Sequence, residues 1–451
     1  MNFIKSILCP LLMAAAWSAG AASNSLVWQT TNDCVSADIH DEPLWPLLED
    51  IAHQTGWHIF VEPDTARKVD VKFSRLPSGE ALKKLLGNLN FAFVPQTNEA
   101  SQLYVFLTRR ENATRRVNAS PFKTAPAKHT ANELMVKVKP GTDIDALAKS
   151  LGAKVTGRND KLGIYKLQFA DAAATDAALG QLKTNSSVEA VDYNYIYDPP
   201  VTPQRVSGTG ASPVSLTLNP PGDSGRVIVG LVDTAMQSMG SDLDKFLIKS
   251  VSLAGDTDVS STDPTHATGM AETILRAMAA QGGSTSAQIY SVDVYGNSET
   301  TTSWMVALGI QEAVDGGATV LNLSLSGTSD SAVLDDIIQQ AIAKGIIVFA
   351  AAGNQPVSSA TYPASLSGVN AVTALASAGQ LADYANYGSF VDMALPGASV
   401  IYYNHQYYVV QGTSPATAYA TGVAAGTKSD TTMTWSQILA AMQQKFTVPK
   451  K

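Results

Sequence analysis

The sequence predicts an α/β protein in which a parallel sheet, covered by helices on both faces, follows two small α+β domains. Three observations lead to this fold class. Near-continuous apolar runs alternate with helical patterns over 225–448, the order βαββαβ occupies 132–198, and a shorter mixed pattern occupies 33–107. A chain of 451 residues is long enough for about three domains.

Composition and charge exclude several classes of protein. Hydrophobic residues make up 45% and charged residues 16% of the chain, which excludes wholesale disorder and a membrane bundle. The 31 basic and 39 acidic residues give a net charge of -8. Nucleic acid is therefore not expected as a partner, because phosphate binding needs clustered Lys and Arg.

Residues 1–22 have the layout of a secretory signal peptide. Lys5 precedes an apolar run over 7–17, and small residues at 18–22 supply a cleavage site. The run is too short to span a membrane, and no later segment reaches that length. We therefore expect a bacterial protein that is periplasmic or secreted and has no transmembrane anchor.

Cysteine usage adds a constraint on stability. Cys9 would be removed with the signal peptide, which leaves Cys34 and no intramolecular disulfide. Cys9 also lies inside the apolar run without small residues just before it, and this disfavours lipid attachment.

The pattern over 33–107 alternates between strands and helices. Leu44–Thr55 and the stretch 78–89 place apolar residues at helical spacing, and extended segments flank both. This pattern resembles the short N-terminal domain of bacterial secretins and TonB-dependent receptors. The resemblance implies docking to an envelope protein partner. An accessory domain without a partner is the alternative.

Two linkers flank the second domain. Residues 108–131 are polar and rich in Ala, Pro, Lys and Arg, and residues 199–224 are dense in proline. Between them, 132–198 follows the order of a ferredoxin-like split unit. The second linker is a natural place for a maturation cut. It leads into Gly222-Asp223-Ser224-Gly225, which resembles the nucleophile motif of chymotrypsin-like proteases but has no β-barrel pattern ahead of it.

The third domain carries the candidate reactive groups. Apolar runs at 227–232, 289–294, 320–325 and 346–351 alternate with helical patterns at 270–280, 304–315 and 334–344. Such runs predict a parallel sheet buried on both faces, whose functional groups lie at carboxyl strand ends and helix starts. Asp233 and Asn354 follow two of the runs. His266 and Ser414 begin helices.

The motifs around these four residues resemble the subtilisin-like serine proteases. They are Asp233-Thr234, His266 with Thr268, Ala351-Ala352-Gly353-Asn354 and Gly412-Thr413-Ser414, and they follow the order of that family. By this resemblance and the chemistry of acyl transfer, Ser414 is the nucleophile, His266 its base and Asp233 the group that orients the base. Asn354 and the Ser414 backbone N–H would donate to the oxyanion. His405, in a Tyr-rich strand or hairpin, is a poor rival base.

The same resemblance has further implications. It makes 132–198 a propeptide that assists folding and places its tail in the cleft, and it makes 225–448 the peptidase domain. It assigns substrate binding to Ser324, Leu325, Ser326, Gly353, Gln355 and Thr361, with a neutral primary pocket. The acid-active sedolisins are disfavoured, because they carry Glu as base and Asp in place of the oxyanion Asn.

Several positions depart from the family pattern. They are Ala235, Ala267, Gly269, Glu272, Pro415 and Ala418. None removes a reacting group, so we expect an exported serine endopeptidase made as an autoinhibited zymogen. A catalytically degenerate binding or scaffold protein of the periplasm is the alternative. No cofactor is expected, and Asp256 with Asp258 forms too small an oxygen set for calcium.

Overall fold

The structure is a computed structural model that describes residues 25–29, 34–62, 65, 67–95, 100–117, 128–197, 200–207, 214–221, 226–377 and 379–449. The predicted signal peptide and Gly222-Asp223-Ser224-Gly225 lie outside these residues. The chain divides into two units, Met1–Lys123 and Thr124–Lys451. Within the described ranges, no helix is long and apolar enough to cross a membrane.

The first unit contains two small sheets and two helices. Its elements are β1 (Ser25–Gln29), β2 (Cys34–Pro43), α1 (Leu44–Thr55), β3 (His58–Val61), β4 (Lys68–Leu76), α2 (Ser78–Leu86), β5 (Asn90–Val94), β6 (Gln102–Phe106) and β7 (Arg115–Val117). The sheets have the orders β1-β2-β4 and β5-β6-β3-β7. Leu47, Ile51 and Leu85 from the two helices are buried in the core of this unit.

Two boundaries in this unit differ from the sequence prediction. Helix α2 ends at Leu86 rather than at residue 89, because Gly87 leaves the helical region with a φ of 57°. The linker predicted over 108–131 contains β7, which pairs with β3 and buries Val117. A single apolar residue beside Arg115 and Arg116 has no periodicity, so its burial depends on tertiary contacts.

The second unit begins with the βαββαβ module. Its elements are β8 (His129–Val138), α3 (Ile144–Ser150), β9 (Lys154–Asn159), β10 (Ile164–Gln168), α4 (Ala172–Leu182) and β11 (Val188–Tyr197). The strands are antiparallel in the order β11-β8-β10-β9. This is the predicted ferredoxin-like arrangement, in which the last strand lies beside the first.

The rest of the second unit is the α/β domain. Its strands are β12 (Gln204–Val206), β13 (Thr217–Leu218), β14 (Ile228–Asp233), β15 (Leu247–Ser252), β16 (Ser284–Thr285), β17 (Gln288–Asp293), β18 (Thr301–Thr302), β19 (Val320–Leu323), β20 (Ile347–Ala351), β21 (Val369–Leu375), β22 (Met393–Pro396), β23 (Ala398–Tyr403) and β24 (Gln406–Gln411). Its helices are α5 (Ser241–Asp244), α6 (His266–Gly282), α7 (Ser303–Asp315), α8 (Ala332–Ala343), α9 (Thr413–Asp430) and α10 (Trp435–Lys445).

Seven parallel strands form the central sheet, in the order β15-β17-β14-β19-β20-β21-β22. Helices α6, α9 and α10 contribute to the apolar cluster on one face, and α7 and α8 to the cluster on the other. In β14, Val229 belongs to the first cluster and Val232 to the second. The sheet is thus buried on both faces, as the continuous apolar runs predict.

The βαββαβ module packs on the starts of α7 and α8. Asn194 Oδ1 accepts from the Trp304 backbone N–H at 3.1 Å. Asp192 Oδ2 accepts from the Val333 N–H at 2.9 Å and the Ser331 hydroxyl at 3.1 Å. Two acceptors on one strand therefore satisfy exposed N–H groups of two helices, where negative charge is also favoured.

Candidate active site

Strand ends and helix starts position the candidate catalytic residues. Asp233 is the last residue of β14, and His266 is the first residue of α6. The Thr265 side chain caps α6 by accepting the Thr268 N–H at 3.2 Å. Ser414 is the second residue of α9, after Gly412 with a φ of 148°. These are the positions at which open α/β sheets present reactive groups.

His266 and Asp233 form a buried pair. His266 Nδ1 lies 2.8 Å from Asp233 Oδ1 and 3.0 Å from Oδ2, and the two residues are 1% and 2% exposed. The Thr234 N–H also donates to Asp233 Oδ1 at 2.7 Å. Because a carboxylate accepts, Nδ1 carries the proton and Nε2 is left as the basic nitrogen. Within the described part of the chain, Nε2 has no hydrogen-bond partner.

Ser414 is held at the start of a long helix. Its hydroxyl donates to the Ser324 carbonyl at 3.1 Å, and the residue is 6% exposed. The hydroxyl is thus bonded to a backbone oxygen and not to His266. Its own N–H lies in the first turn of α9, where the helix dipole favours negative charge.

Asn354 is oriented by the residue that precedes Ser414. Its Oδ1 accepts from the Thr413 N–H at 2.8 Å and the Thr413 hydroxyl at 3.1 Å. These bonds fix the oxygen end of the amide, so the NH₂ end is available to donate. The Thr413 hydroxyl also accepts from the Gly353 N–H at 3.0 Å, which ties the loop to α9.

Asn386 braces the same loop and was missed by the sequence analysis. Its Oδ1 accepts from the Gln355 N–H at 2.8 Å, and its Nδ2 donates to the Ala352 carbonyl at 2.7 Å. A Cβ on Gly353 would lie 2.5 Å from Asn386 Nδ2, and the φ of Gly353 is +104°. Only glycine fits this close approach. Asn386 ends no predicted strand, so the sequence offered no signal.

A cavity of about 220 Å³ adjoins Ser414 and Asn354. The residues predicted to bind substrate all line it: Ser324, Leu325, Ser326, Gly353, Gln355 and Thr361. Its walls also include residues that the sequence analysis did not select: Pro200, Val201, Tyr295, Gly327, Thr328, Ala351, Asn386 and Thr413. Asp233 and His266 are not among its lining residues.

The chain after β11 lies in this cavity. Tyr197, at the end of β11, is 1% exposed, and its ring lies beside Gly327. Pro200 and Val201 then line the cavity together with Ser414. Two residues that follow the βαββαβ module therefore share this cavity with Ser414 and Asn354.

The altered positions near His266 have structural partners. Ala267 is fully buried, and Ala235 is 7% exposed. Glu272 is 1% exposed; it pairs with Arg276 and accepts the Tyr402 N–H at 2.8 Å, which joins α6 to β23. Its charge is therefore paired, as a buried carboxylate requires.

The structure also shows the surroundings of the altered residues Pro415 and Ala418 and of His405, the alternative base. Pro415 and Ala418 are buried in α9, and Pro415 lies in its first turn, where a missing N–H costs no helical bond. His405 lies with Asn404 in the turn between β23 and β24 and is exposed. The described residues contain no group of three or more His, Cys, Asp or Glu side chains suited to a metal.

We expect Glu272 to make stability depend on pH. Burial raises its pKa from the ordinary value of 4.5, against the opposing effects of the Tyr402 N–H and Arg276. A raised folded-state pKa stabilises the fold at acid pH, and this contribution is lost as the pH rises through that pKa. Because Glu272→Gln cannot titrate, its Tm relative to the parent should rise as the pH increases above the ordinary value of 4.5. A Tm difference that does not change with pH would contradict this prediction.

Comparison with known proteins agrees with this fold. The model of the subtilase family matches residues 224–448, and the model of the fervidolysin N-terminal prodomain matches residues 115–194. Thermitase of Thermoactinomyces vulgaris is 34% identical over 208 residues, which are 44% of this chain and 72% of thermitase. A thermophilic serine proteinase of Bacillus sp. (strain AK1) is 29% identical over 326 residues, 68% of this chain and 80% of that protein.

A solved structure has the same fold. The crystal structure of fervidolysin from Fervidobacterium pennivorans, described as a keratinolytic enzyme related to subtilisin, superposes with a TM-score of 0.52 at 20% identity. The match covers 67% of this chain and 55% of the fervidolysin chain. Fold and site define a subtilisin-like serine protease, a hydrolase. The chain belongs to the subtilase family, and a prodomain precedes its peptidase domain.

The resemblance of the first unit to secretin and TonB-receptor domains is not supported. Neither matched family model reaches residues 25–114, and the prodomain match begins at Arg115, in β7. The pattern of short strands around two helices is common to many small α+β domains, so it does not specify that family.

Proposed function

We propose that this chain is an exported serine endopeptidase made as an autoinhibited zymogen. The observation that carries the proposal is the buried His266–Asp233 pair, whose Nε2 has no partner among the described residues. Ser414 and Asn354 lie together around one cavity. Export is supported by the signal-like residues 1–22. Periplasmic and extracellular destinations are both compatible with such a segment.

The mechanism follows from the roles of the four groups. The Ser414 hydroxyl leaves the Ser324 carbonyl, donates to His266 Nε2 and attacks the scissile carbonyl carbon as the proton passes to that nitrogen. Asp233 stabilises the imidazolium through Nδ1. His266 then protonates the leaving amine, and water hydrolyses the acyl-enzyme by the same route. In unliganded sites this catalytic hydrogen bond often forms only when substrate binds.

Asn354 is expected to stabilise the oxyanion. Replacing it with Ala should lower kcat by about 10²–10³-fold with little change in KM, the scale known for the oxyanion donor of subtilisin. Kinetics on a fluorogenic peptide test this. Asn219→Ala, at an exposed position outside the cavity, is the matched control and should keep the parent kcat. A loss of less than about threefold for Asn354→Ala would contradict the role.

Latency is proposed to arise because the prodomain tail covers the cleft. Pro200 and Val201 line the cavity of Ser414, and Asp192 and Asn194 dock the prodomain on α7 and α8. Self-cleavage within residues 198–225 would release the inhibition. This rests on the cavity lining and on the family prodomain match.

Asp192 provides a test of docking. Burial raises the pKa of its carboxyl, against the N–H of Val333 and the hydroxyl of Ser331. Asp192→Ala removes the acceptor and should weaken docking of the prodomain by about 1–2 kcal/mol. Peptide hydrolysis by the full chain should therefore increase roughly 5–30-fold. Asp192→Asn keeps an acceptor without a buried charge and should stay latent. Equal activity of the two variants would contradict the docking role.

We further propose that the first unit binds an envelope protein partner. Its residues belong to a compact unit, Met1–Lys123. Deleting residues 25–117 should leave peptide hydrolysis unchanged and alter the association of the chain with the cell envelope. If the deletion variant associated with the cell envelope as the parent does, the proposed docking role of the first unit would be wrong.

A degenerate scaffold remains the second candidate, favoured by the bond of the Ser414 hydroxyl to the Ser324 carbonyl. The purified chain and its Ser414→Ala variant are incubated with an unfolded protein, before and after an added protease has cut within residues 208–225. Fragments produced by the parent alone support the endopeptidase. If neither protein produces fragments, the result supports the scaffold.

A further inference from the structure

Described residues before and after Asp198 and Pro199 contact elements that lead to the cavity of Ser414 or line it. Ile196 and Tyr197 in β11 pair antiparallel with Thr302 and Thr301 in β18. Residues 200–206, here called the strap, continue from there. The strap first lines the cavity and then forms β12, which pairs antiparallel with β24.

The direction of the strap is that of a bound substrate beyond its cut bond. Gln204 pairs with Val409 and Val206 with Tyr407, so the strap recedes from Ser414 as residue numbers rise. Strand β24 runs the opposite way and leads through Gly412 to α9. Residues 204–206 therefore occupy the place that the fourth to sixth residues after a scissile bond between Pro200 and Val201 would take.

The strap binds β24 mainly through its backbone. The side chains of Gln204, Arg205 and Val206 are all exposed, although Arg205 Nε donates to Gln406 Oε1 at 3.1 Å. Strand addition of this kind gives affinity through main-chain hydrogen bonds and tolerates many sequences. Any extended peptide that displaces the strap can form the same ladder.

A socket fixes the strap where it leaves the cleft. Pro203 is buried, and a Cβ on Gly269 would lie 3.2 Å from Pro203 Cγ and 3.4 Å from Ile401 Cδ1. Gly269 is one of the positions that depart from the family pattern. Its lack of a side chain leaves room for a residue that passes from the cleft to β24.

We propose that the edge of β24 is an extended binding site for the backbone of a protein substrate, taking the fourth to sixth residues after the scissile bond. The strap holds this edge in the zymogen. In the three-stranded sheet β12-β24-β23, departure of the strap leaves one edge of β24 unpaired, and such edges readily accept an added strand. The inference rests on the proposed endopeptidase function and predicts a preference for long, unfolded substrates.

Peptides of two lengths test the proposal on the full-length chain after self-processing. Both carry a quenched fluorophore and the same residues up to the second position after the cut, and one extends four residues further. We expect kcat/KM to be about tenfold higher for the longer peptide, from a few added backbone hydrogen bonds. Equal values would overturn the inference and leave the endopeptidase standing. Hydrolysis of neither peptide would overturn the proposed function, and the inference with it.

Backbone methylation separates strand pairing from side-chain binding. In an antiparallel ladder, only alternate residues point their N–H groups at the partner strand. Methylating the backbone nitrogens of the extension residues whose N–H groups face β24 should therefore abolish the tenfold gain in kcat/KM. Methylating the nitrogens of the other, alternate residues should preserve most of that gain. Loss of the gain in both sets, or in neither, would show that β24 does not bind the extension as a strand.

Discussion

Replacing Ser414 with Ala is expected to lower kcat for a peptide substrate by about 10⁶-fold, the scale known for the nucleophile of subtilisin. The expectation follows from geometry. Ser414 lines the cavity and lies in the first turn of α9. The amide of Asn354, which lines the same cavity, is oriented by the Thr413 N–H. Residual turnover should come from binding and oxyanion stabilisation alone. Kinetics on purified parent and variant measure the loss.

A surface serine supplies the control for this experiment. Ser377 is exposed in a turn after β21, so Ser377→Ala should keep the activity of the parent. Unfolding curves of both variants should overlay that of the parent within experimental error. If Ser414→Ala kept more than about 1% of the parent activity, another residue would be the nucleophile.

The second large effect is expected at Asp233. In Asp233→Asn, an NH₂ group replaces one of the two oxygens that lie 2.8 Å and 3.0 Å from His266 Nδ1. An amide donor beside Nδ1 favours the tautomer with the proton on Nε2, which cannot act as the base. We expect kcat to fall about 10⁴-fold, as in other serine proteases with this change, and KM to change little.

The exposed Asp256→Asn serves as the matched control for charge, because it removes a carboxylate from a loop outside the cavity. It should keep the parent activity. A loss of less than tenfold for Asp233→Asn would mean that this carboxylate does not orient the base.

Burial on both faces made the central sheet predictable. The run over 227–232 corresponds to β14, and the run over 346–351 contains β20. Such strands carry apolar residues at every position, which is a strong signal. Strand β15 was missed because most of its side chains are exposed at the sheet edge, and this removes the signal.

The segment around the cleft was the hardest to predict. Residues 199–224 were interpreted as an exposed linker because they are rich in proline, yet they contain β12 and the buried Pro203. Pairing with β24 joins residues about two hundred positions apart through backbone atoms, and no local pattern encodes it. The sequence predicted the candidate reactive groups, and the family resemblance implied a tail in the cleft, but neither predicted the pairing of β12 with β24.

The altered positions illustrate a related limit. Glu272 departs from the family pattern, and a buried carboxylate in place of a small residue is destabilising when unpaired. In the structure Glu272 forms an ion pair with Arg276 and accepts a hydrogen bond from the Tyr402 N–H. These contacts connect α6 to the β23–β24 hairpin, which precedes Ser414. The partner of Glu272 in β23 is 130 residues away and follows no motif.

The central claim is that Ser414 is a nucleophile activated by His266. The most direct test is to cut the full-length chain with an added protease within residues 208–225, treat it with a fluorophosphonate and locate the label by mass spectrometry, with His266→Ala treated in parallel. We expect one label, on Ser414, and labelling slowed by several orders of magnitude in His266→Ala. A label on another residue, or equal rates for the two proteins, would contradict the claim.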